Sequence, residues 1–290
     1  LSALARARDY YELSKPRIIM LLLVTTAASM VMAARGLPPP ALVFWTLLAG
    51  ALAAASAGAL NCVWDADIDR VMKRTQGRPI PAGRISRRAG TVYALLAGGL
   101  SFALFWIFVN PLAAWLSLAG NVYYVGIYTM WLKRITPLNI VIGGAAGSVP
   151  PLVGWAAVTN HIGGPALGLF ALIFLWTPPH FWSLALMTET EYGKANIPML
   201  PNVYGRERTK REILYYSLLL VAASLLLYPL HVMGALYFGA AAVLGGIFVL
   251  DAWRTWRERN GTIAARKLFR FSLVYLALMC AVMVIDRVVK

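Results

Sequence analysis

Charge is scarce in this sequence. Only 13% of its 290 residues are Asp, Glu, Lys or Arg, and only 12 are acids, whereas soluble domains carry about 25% charged residues. So little polar material cannot cover a water-facing surface, which excludes an ordinary soluble protein. Cysteine is scarcer still. Cys62 and Cys280 both fall within apolar runs; they form no disulfide framework and no metal-ligand spacing, and are expected to be small buried side chains. Long polar linkers are missing too. The longest polar stretches, around 67–88 and 187–212, mark no domain boundary, so residues 1–290 are expected to form one transmembrane domain. The N-terminus lacks the layout of a signal peptide, because Asp9, Glu12 and Pro16 separate its bases from the first apolar run. Its acids argue against a mitochondrial transit peptide. The chain begins at Leu1 rather than Met, and native residues are expected to precede it.

What the sequence has in abundance is apolar length. Hydrophobic residues make up 60% of it and the mean hydropathy is +0.66. Runs of about 20 apolar residues recur, each able to cross a hydrocarbon core about 30 Å thick. Nine spans are expected, over 18–34, 40–64, 89–109, 112–131, 137–158, 166–186, 213–228, 230–253 and 268–287. All should be helices, since an open strand edge cannot be satisfied in lipid. The fold class is therefore all-α, a polytopic membrane protein.

The net charge of +15 would suggest nucleic acid in a soluble protein, but its distribution does not. With a cytoplasmic N-terminus, 24 of the 27 basic residues lie on the inside, and only Arg35, Arg287 and Lys290 fall outside. This is the positive-inside pattern. It supports an odd number of spans and points the excess charge at anionic lipid headgroups, with no nucleic-acid partner.

The few acids collect near the cytoplasmic connections. Asn61, Asp65 and Asp69, at the end of the second span, are spaced i, i+4, i+8 and share one helix face. Two carboxylates and an amide there suit a hard divalent cation, Mg²⁺ above all, which can in turn hold a diphosphate. The alternative is an ordinary polar helix end emerging into water, although carboxylates that begin within an apolar span are costly unless paired or functional. Asp67 points to another face and is expected to be solvated. Lys73, Arg74 and Arg78 follow, with Pro79 and Pro81 stiffening the loop around Arg78. Lys133 and Arg134 occupy a short connection. These bases could bind a diphosphate leaving group or simply set the topology. Glu189 and Glu191 add two acids on the same side. Span six ends in Trp176-Thr177-Pro178-Pro179-His180-Phe181-Trp182, where His180 is either a hydrogen-bonded core histidine or a group facing a substrate cavity, such as a haem-iron ligand. His161 and His231 fall in outside connections.

The block from Asn61 to Asp69, with Lys73-Arg74-Thr75 and Arg78-Pro79, resembles the first acidic motif of the UbiA superfamily of intramembrane prenyltransferases. Four further stretches are similar to its haem O synthase branch: Glu12-Leu13-Ser14-Lys15-Pro16-Arg17, Leu132 to Gly144, Trp176 to Trp182, and Ile197-Pro198-Met199-Leu200-Pro201. The resemblance implies nine helices around a central cavity and an active site capped on the cytoplasmic face of a bacterial or archaeal membrane. It implies Mg²⁺-dependent ionisation of farnesyl diphosphate and attack by a vinyl group of haem b. Carried over by position, Asn61, Asp65 and Asp69 would hold Mg²⁺. Lys73, Arg74, Arg78, Lys133 and Arg134 would contact the diphosphate.

Two features depart from the family pattern. The second motif usually offers aspartates at i, i+4, whereas this chain has Glu189 and Glu191; Glu191 takes the acid position, as a weaker second ligand set. Asn196 stands where the branch has Gly, and Asn tolerates the left-handed backbone that Gly permits.

Trp64, Tyr128 and Phe181 are nominated as aromatic neighbours of a cationic intermediate. A haem A synthase or terminal oxidase is the expected partner downstream. Two other readings share part of the pattern. A sister prenyltransferase acting on an aromatic acid or quinone precursor would share the metal site and bind no haem. A transporter would also place acids and broken helices in the membrane, but the acids collect on one side and no inverted half is visible.

Overall fold

The computed structural model describes residues 3–289, so the predicted outside charge Lys290 lies beyond the described residues. In chain order the helices are α1 (Ala3–Leu13), α2 (Pro16–Ala34), α3 (Pro40–Trp64), α4 (Ala66–Val71), α5 (Arg87–Phe108) and α6 (Pro111–Val122). A π-helix, Tyr123–Leu132, then leads into the single turn α7 (Lys133–Ile135). After it come α8 (Asn139–Thr159), α9 (Gly164–Met187), α10 (Glu189–Lys194), α11 (Leu200–Leu226), α12 (Ala235–Arg257) and α13 (Ile263–Val289). No strand occurs among the described residues.

Local chemistry sets the ends. Proline at the first turn of α2, α3, α6, α9 and α11 occupies a place where its missing N–H leaves no bond unmade. Ser86 Oγ accepts from Ala89 N at 3.1 Å and Asn110 Oδ1 from Ala113 N at 2.8 Å, ordinary N-caps for α5 and α6. The prolines Pro150, Pro151, Pro178 and Pro179 sit inside α8 and α9 without ending them. Ser29 Oγ, donating to the Pro151 carbonyl at 2.6 Å, joins α2 to α8 at such a proline.

Among the described residues, seven helices are long and apolar enough to cross a membrane, and the protein is a multi-pass membrane protein. The other two predicted spans look different. The run 112–131 changes from α to π at Tyr123. The run 213–228 is the apolar second half of α11, whose first half carries Arg206, Arg208, Lys210 and Arg211. That helix also turns at Gly205, whose φ of 79° suits glycine alone. Tyr228-Pro229-Leu230-His231, joining the predicted runs 213–228 and 230–253, forms the turn before α12. The polar stretch 187–212 is itself largely helical, and α1 precedes the first span.

The bundle is inside-out relative to a soluble protein. Large apolar side chains such as Leu95 (63%), Leu96 (69%) and Ile107 (68%) are exposed, as lipid-facing surfaces require. The most central helix is α9, with 67% of its apolar window buried against 22% for α5. It packs between α8, α11 and α13 in the main core, around Leu169, Leu172, Trp176, Trp182, Phe248 and Tyr275. A smaller core of Leu13, Ala59, Cys62, Ile80, Ile85 and Ala94 lies under the long loop after α4. Cys62 and Cys280 are both free and buried, as expected.

At the opposite end of the molecule from that loop, α13 caps α12. The buried Asp286 carboxylate accepts from Gly234 N at 2.6 Å and Tyr237 N at 3.1 Å. Removing a cap of this kind costs about 1–2 kcal/mol. Asp286→Ala is therefore expected to lower the unfolding temperature in detergent while leaving catalysis in the surviving protein unchanged.

Candidate active site

The polar centre begins where α3 gives way to α4. Asp65 sits at the junction (φ −84°, ψ 10°), and the helical bonding runs through it: Asp65 N donates to Asn61 O at 2.9 Å and Asp69 N to Asp65 O at 2.8 Å. Asn61, Asp65 and Asp69 therefore keep one face, and all three are buried. Asn61 Nδ2 donates to Asp65 Oδ2 at 2.8 Å and Thr129 Oγ1 at 3.1 Å, which turns the amide oxygen towards Lys15.

Basic side chains from three other segments close on this face. Lys15 donates to Asn61 Oδ1 and Lys133 to Asp65 Oδ2. Arg78 clasps Asp69 through both carboxylate oxygens, at 3.0 and 2.8 Å. Arg134 lies 3.7 Å from Asp65 Oδ1, but its hydrogen bonds go to Asp67 at 2.8 and 2.9 Å and to the Trp64 carbonyl at 3.2 Å. That pairing holds the Asp67 carboxyl down from its usual value to about 2, so it stays ionised throughout the neutral range. Asp67 is exposed, as its helix face predicts, and its role is to steady Arg134.

The long loop is held in place rather than loose. Ile80 and Ile85 are buried beneath it. Arg84 ties it to α1 through Asp9 (2.7 Å) and Glu12 (3.0 Å) and back to the Gly77 carbonyl (3.0 Å). Thr75 Oγ1 donates to the Asp69 carbonyl at 3.1 Å. Burial lowers the Arg78 value, but Asp69 more than offsets it and holds the guanidinium above the ordinary arginine value.

Lys15 and Thr129 are the residues that sequence reasoning missed. Lys15 counted there among the topology charges, although it stands inside the Glu12–Arg17 stretch. Its backbone is left-handed (φ 58°) just before Pro16, an uncommon state for a residue with a side chain. Gly58 gives it room, because a Cβ there would stand 3.2 Å from the Ser14 carbonyl and 3.6 Å from Lys15 Cδ. Burial pushes the Lys15 ammonium below its ordinary value, against the pull of the Asp69 and Asp65 carboxylates.

The π-helix supplies the remaining wall. Such wide turns are rare and gather at functional sites. This one carries Tyr124, Tyr128 and Thr129. Tyr124 and Tyr128 stack at 5.6 Å and 29°. Both are half-buried. The Tyr128 ring lies directly against Gly143, leaving no room for a Cβ. Of the nominated aromatics, Trp64 and Phe181 are exposed instead (43% and 38%).

Other predicted residues stand apart. Lys73 and Arg74 are exposed and make no ion pair among the described residues. Among those residues no group of three His, Cys, Asp or Glu side chains is placed to hold a metal ion, so Glu191 does not complete a three-acid cluster with Asp65 and Asp69. Its Oε2 is buried without a hydrogen-bond partner. Glu189 pairs with Arg206 at 2.9 Å. Asn196 adopts the expected left-handed turn, φ 52°. Between it and α4 opens a cavity of about 380 Å³, lined by Asp67, Arg134, Lys194 and Asn196 among others.

His180 lies in a separate, aromatic niche. Its ring is sandwiched between Trp176 (4.3 Å, 19°) and Phe269 (4.7 Å, 24°), and Nδ1 is 2.7 Å from Ser272 Oγ. The residues of the first niche suit Mg²⁺: one amide and two carboxylates offer only oxygen, and Asp65 Oδ1 is buried without a hydrogen-bond partner.

An all-helical membrane bundle with an acidic helix face ringed by bases defines a class. The model of the UbiA prenyltransferase family matches residues 22–274, and the chain belongs to that family; it is a membrane prenyltransferase. Within the family it is 56% identical to the protoheme IX farnesyltransferase of Synechocystis sp., over 97% of this chain and 90% of that protein. With that of Trichodesmium erythraeum it shares 51% identity over 96% and 85%. Among solved structures, a digeranylgeranylglyceryl phosphate synthase superposes with a TM-score of 0.83 at 18% identity, covering 99% of this chain and all (100%) of the other. A UbiA homologue from Archaeoglobus fulgidus bound to DMAPP and Mg²⁺ gives 0.66 at 17% identity, covering 95% and 99%. At these identities the structures establish the fold.

Proposed function

We propose that this prenyltransferase moves a farnesyl group from farnesyl diphosphate to a vinyl group of haem b, with addition of water, giving haem O. The clasp of Lys15, Lys133 and Arg78 on the Asn61–Asp65–Asp69 face carries the diphosphate half of this reading. The acceptor rests on the relatives, named protoheme IX farnesyltransferases at 56% and 51% identity.

Asn61, Asp65 and Asp69 would hold Mg²⁺, which when bound neutralises diphosphate oxygens and so makes them a better leaving group. Lys15, Lys133 and Arg78 then have phosphate oxygens to turn to. As the allylic carbon–oxygen bond breaks, its electron pair leaves with the diphosphate, and these cations meet the charge as it grows. The stacked rings of Tyr124 and Tyr128 present π-faces to the farnesyl cation inside a space closed to bulk water. The vinyl π-electrons form the new carbon–carbon bond. The cation left beside the porphyrin accepts a water oxygen, and that water's proton departs.

His180 is the candidate for holding the haem iron. The distribution of basic residues along the sequence supports a cytoplasmic position for this end of the molecule, and the product would pass to a haem A synthase or terminal oxidase.

The test is incubation of purified protein with haem b, farnesyl diphosphate and Mg²⁺, followed by mass spectrometry of the extracted haem. A gain of farnesyl plus hydroxyl that disappears with EDTA is expected. Unchanged haem, from protein that prenylates a quinone precursor instead, would assign the sister activity.

A further inference from the structure

His180 and Ser272 come from different helices, α9 and α13, and meet inside the main core, both buried. Ser272 Oγ has one hydrogen, and two groups compete for it. It lies 2.7 Å from the Phe269 carbonyl and 2.7 Å from His180 Nδ1. If the hydroxyl donated to Nδ1, the imidazole proton would sit on Nε2. That nitrogen has no hydrogen-bond partner among the described residues, so its hydrogen would go unused by the protein while the Phe269 carbonyl lost its donor. If the hydroxyl donates to Phe269 instead, it accepts from Nδ1–H, both hydrogens are used, and Nε2 keeps a bare lone pair. The network therefore selects the Nδ1–H tautomer.

Rotation is restricted as well. The imidazole is held between the near-parallel rings of Trp176 and Phe269 and edge-on to Phe181 at 5.1 Å and 90°. Trp176 is itself pinned to the same turn of α13, its Nε1 donating to the Ser272 carbonyl at 2.8 Å. Ser272 thus meets the niche twice, through its backbone at Trp176 and its side chain at His180. Such support exceeds what a space-filling histidine needs. It is the arrangement by which an outer partner orients a metal-binding imidazole and raises its basicity.

We infer that Ser272 is a positioning residue that fixes His180 in the Nδ1–H tautomer and leaves Nε2 as the lone-pair donor to the iron of bound haem. This rests on the reading of haem as acceptor and His180 as its ligand. Sequence spacing could not show it, since 92 residues separate the pair.

The experiment titrates ferric haem into the purified full chain and records the Soret and visible bands, which report imidazole ligation, together with the dissociation constant. Wild-type protein is expected to show the ligated spectrum and His180→Ala to lose it. Ser272→Ala should weaken haem binding about 10-fold and shift the bands, because outer partners of metal-bound histidines contribute roughly 10–100-fold. Ser272→Cys fills nearly the same volume with a weak hydrogen-bonding group and should behave like Ser272→Ala. If Ser272→Cys keeps wild-type binding, or Ser272→Ala does, the inference fails while the His180 reading stands. If His180→Ala retains the ligated spectrum, the His180 reading itself is overturned.

Discussion

Asp65→Asn is expected to lower farnesyl transfer about 10³-fold, on the order of 4 kcal/mol, with the protein still folded in detergent. Asp65 is the middle residue of the oxygen face and is 1% exposed. One of its oxygens is taken by Lys133 and the other has no hydrogen-bond partner. Asparagine keeps the volume and one oxygen but removes the charge that both a cation and Lys133 require. The measurement is haem product formed per minute, with thermal unfolding as the control for folding. A variant within tenfold of wild type would remove Asp65 from the metal site and leave the trio as a structural ion-pair network.

Lys133→Met should cost roughly 100-fold in kcat, whereas Arg134→Met should cost less than about tenfold. The two bases are adjacent in sequence, and sequence reasoning treats them alike. Their surroundings differ. Lys133 reaches the buried Asp65 and is 17% exposed, while Arg134 is 35% exposed and bound to the exposed Asp67. A lysine released from Asp65 can meet the departing diphosphate, but an arginine anchored two ways to Asp67 has less freedom to leave. Steady-state rates for the two variants, measured together, decide the matter. Equal losses would mean that both bases act on the leaving group, and that the Asp67 clasp opens when substrate binds.

Much of this was legible in the sequence because its signals are local. Apolar runs about 20 residues long announce helices, and the i, i+4, i+8 spacing of Asn61, Asp65 and Asp69 places them on one face whatever surrounds them. The left-handed turn at Asn196 follows from the residue type. What escaped was long-range. Lys15 meets Asn61 across 46 residues, Thr129 meets Asn61 across 68, and Ser272 meets His180 across 92. No spacing rule connects such positions. The π-helix escaped for another reason: its composition is that of any apolar span, and only its packing against α8, with Tyr128 against Gly143, sets it apart. Glu191 is matched by position alone: its Oε2 is buried without a hydrogen-bond partner, and among the described residues it forms no three-acid cluster with Asp65 and Asp69.

The clasp of bases on acids bears on the order in which the reactants bind. A divalent ion arriving alone would have to displace Lys15, Lys133 and Arg78 from their oxygens and strand three positive groups in a space poor in water, which is unfavourable. A diphosphate arriving alone would find those cations already engaged. Arriving together, each relieves the other, because the anion receives the bases that the ion sets free. On the proposed reading, metal and prenyl substrate would be thermodynamically linked, each tightening the other by the same factor. The resting site, with Lys133 and Arg78 paired to Asp65 and Asp69, is expected to bind stray magnesium or stray phosphate only weakly.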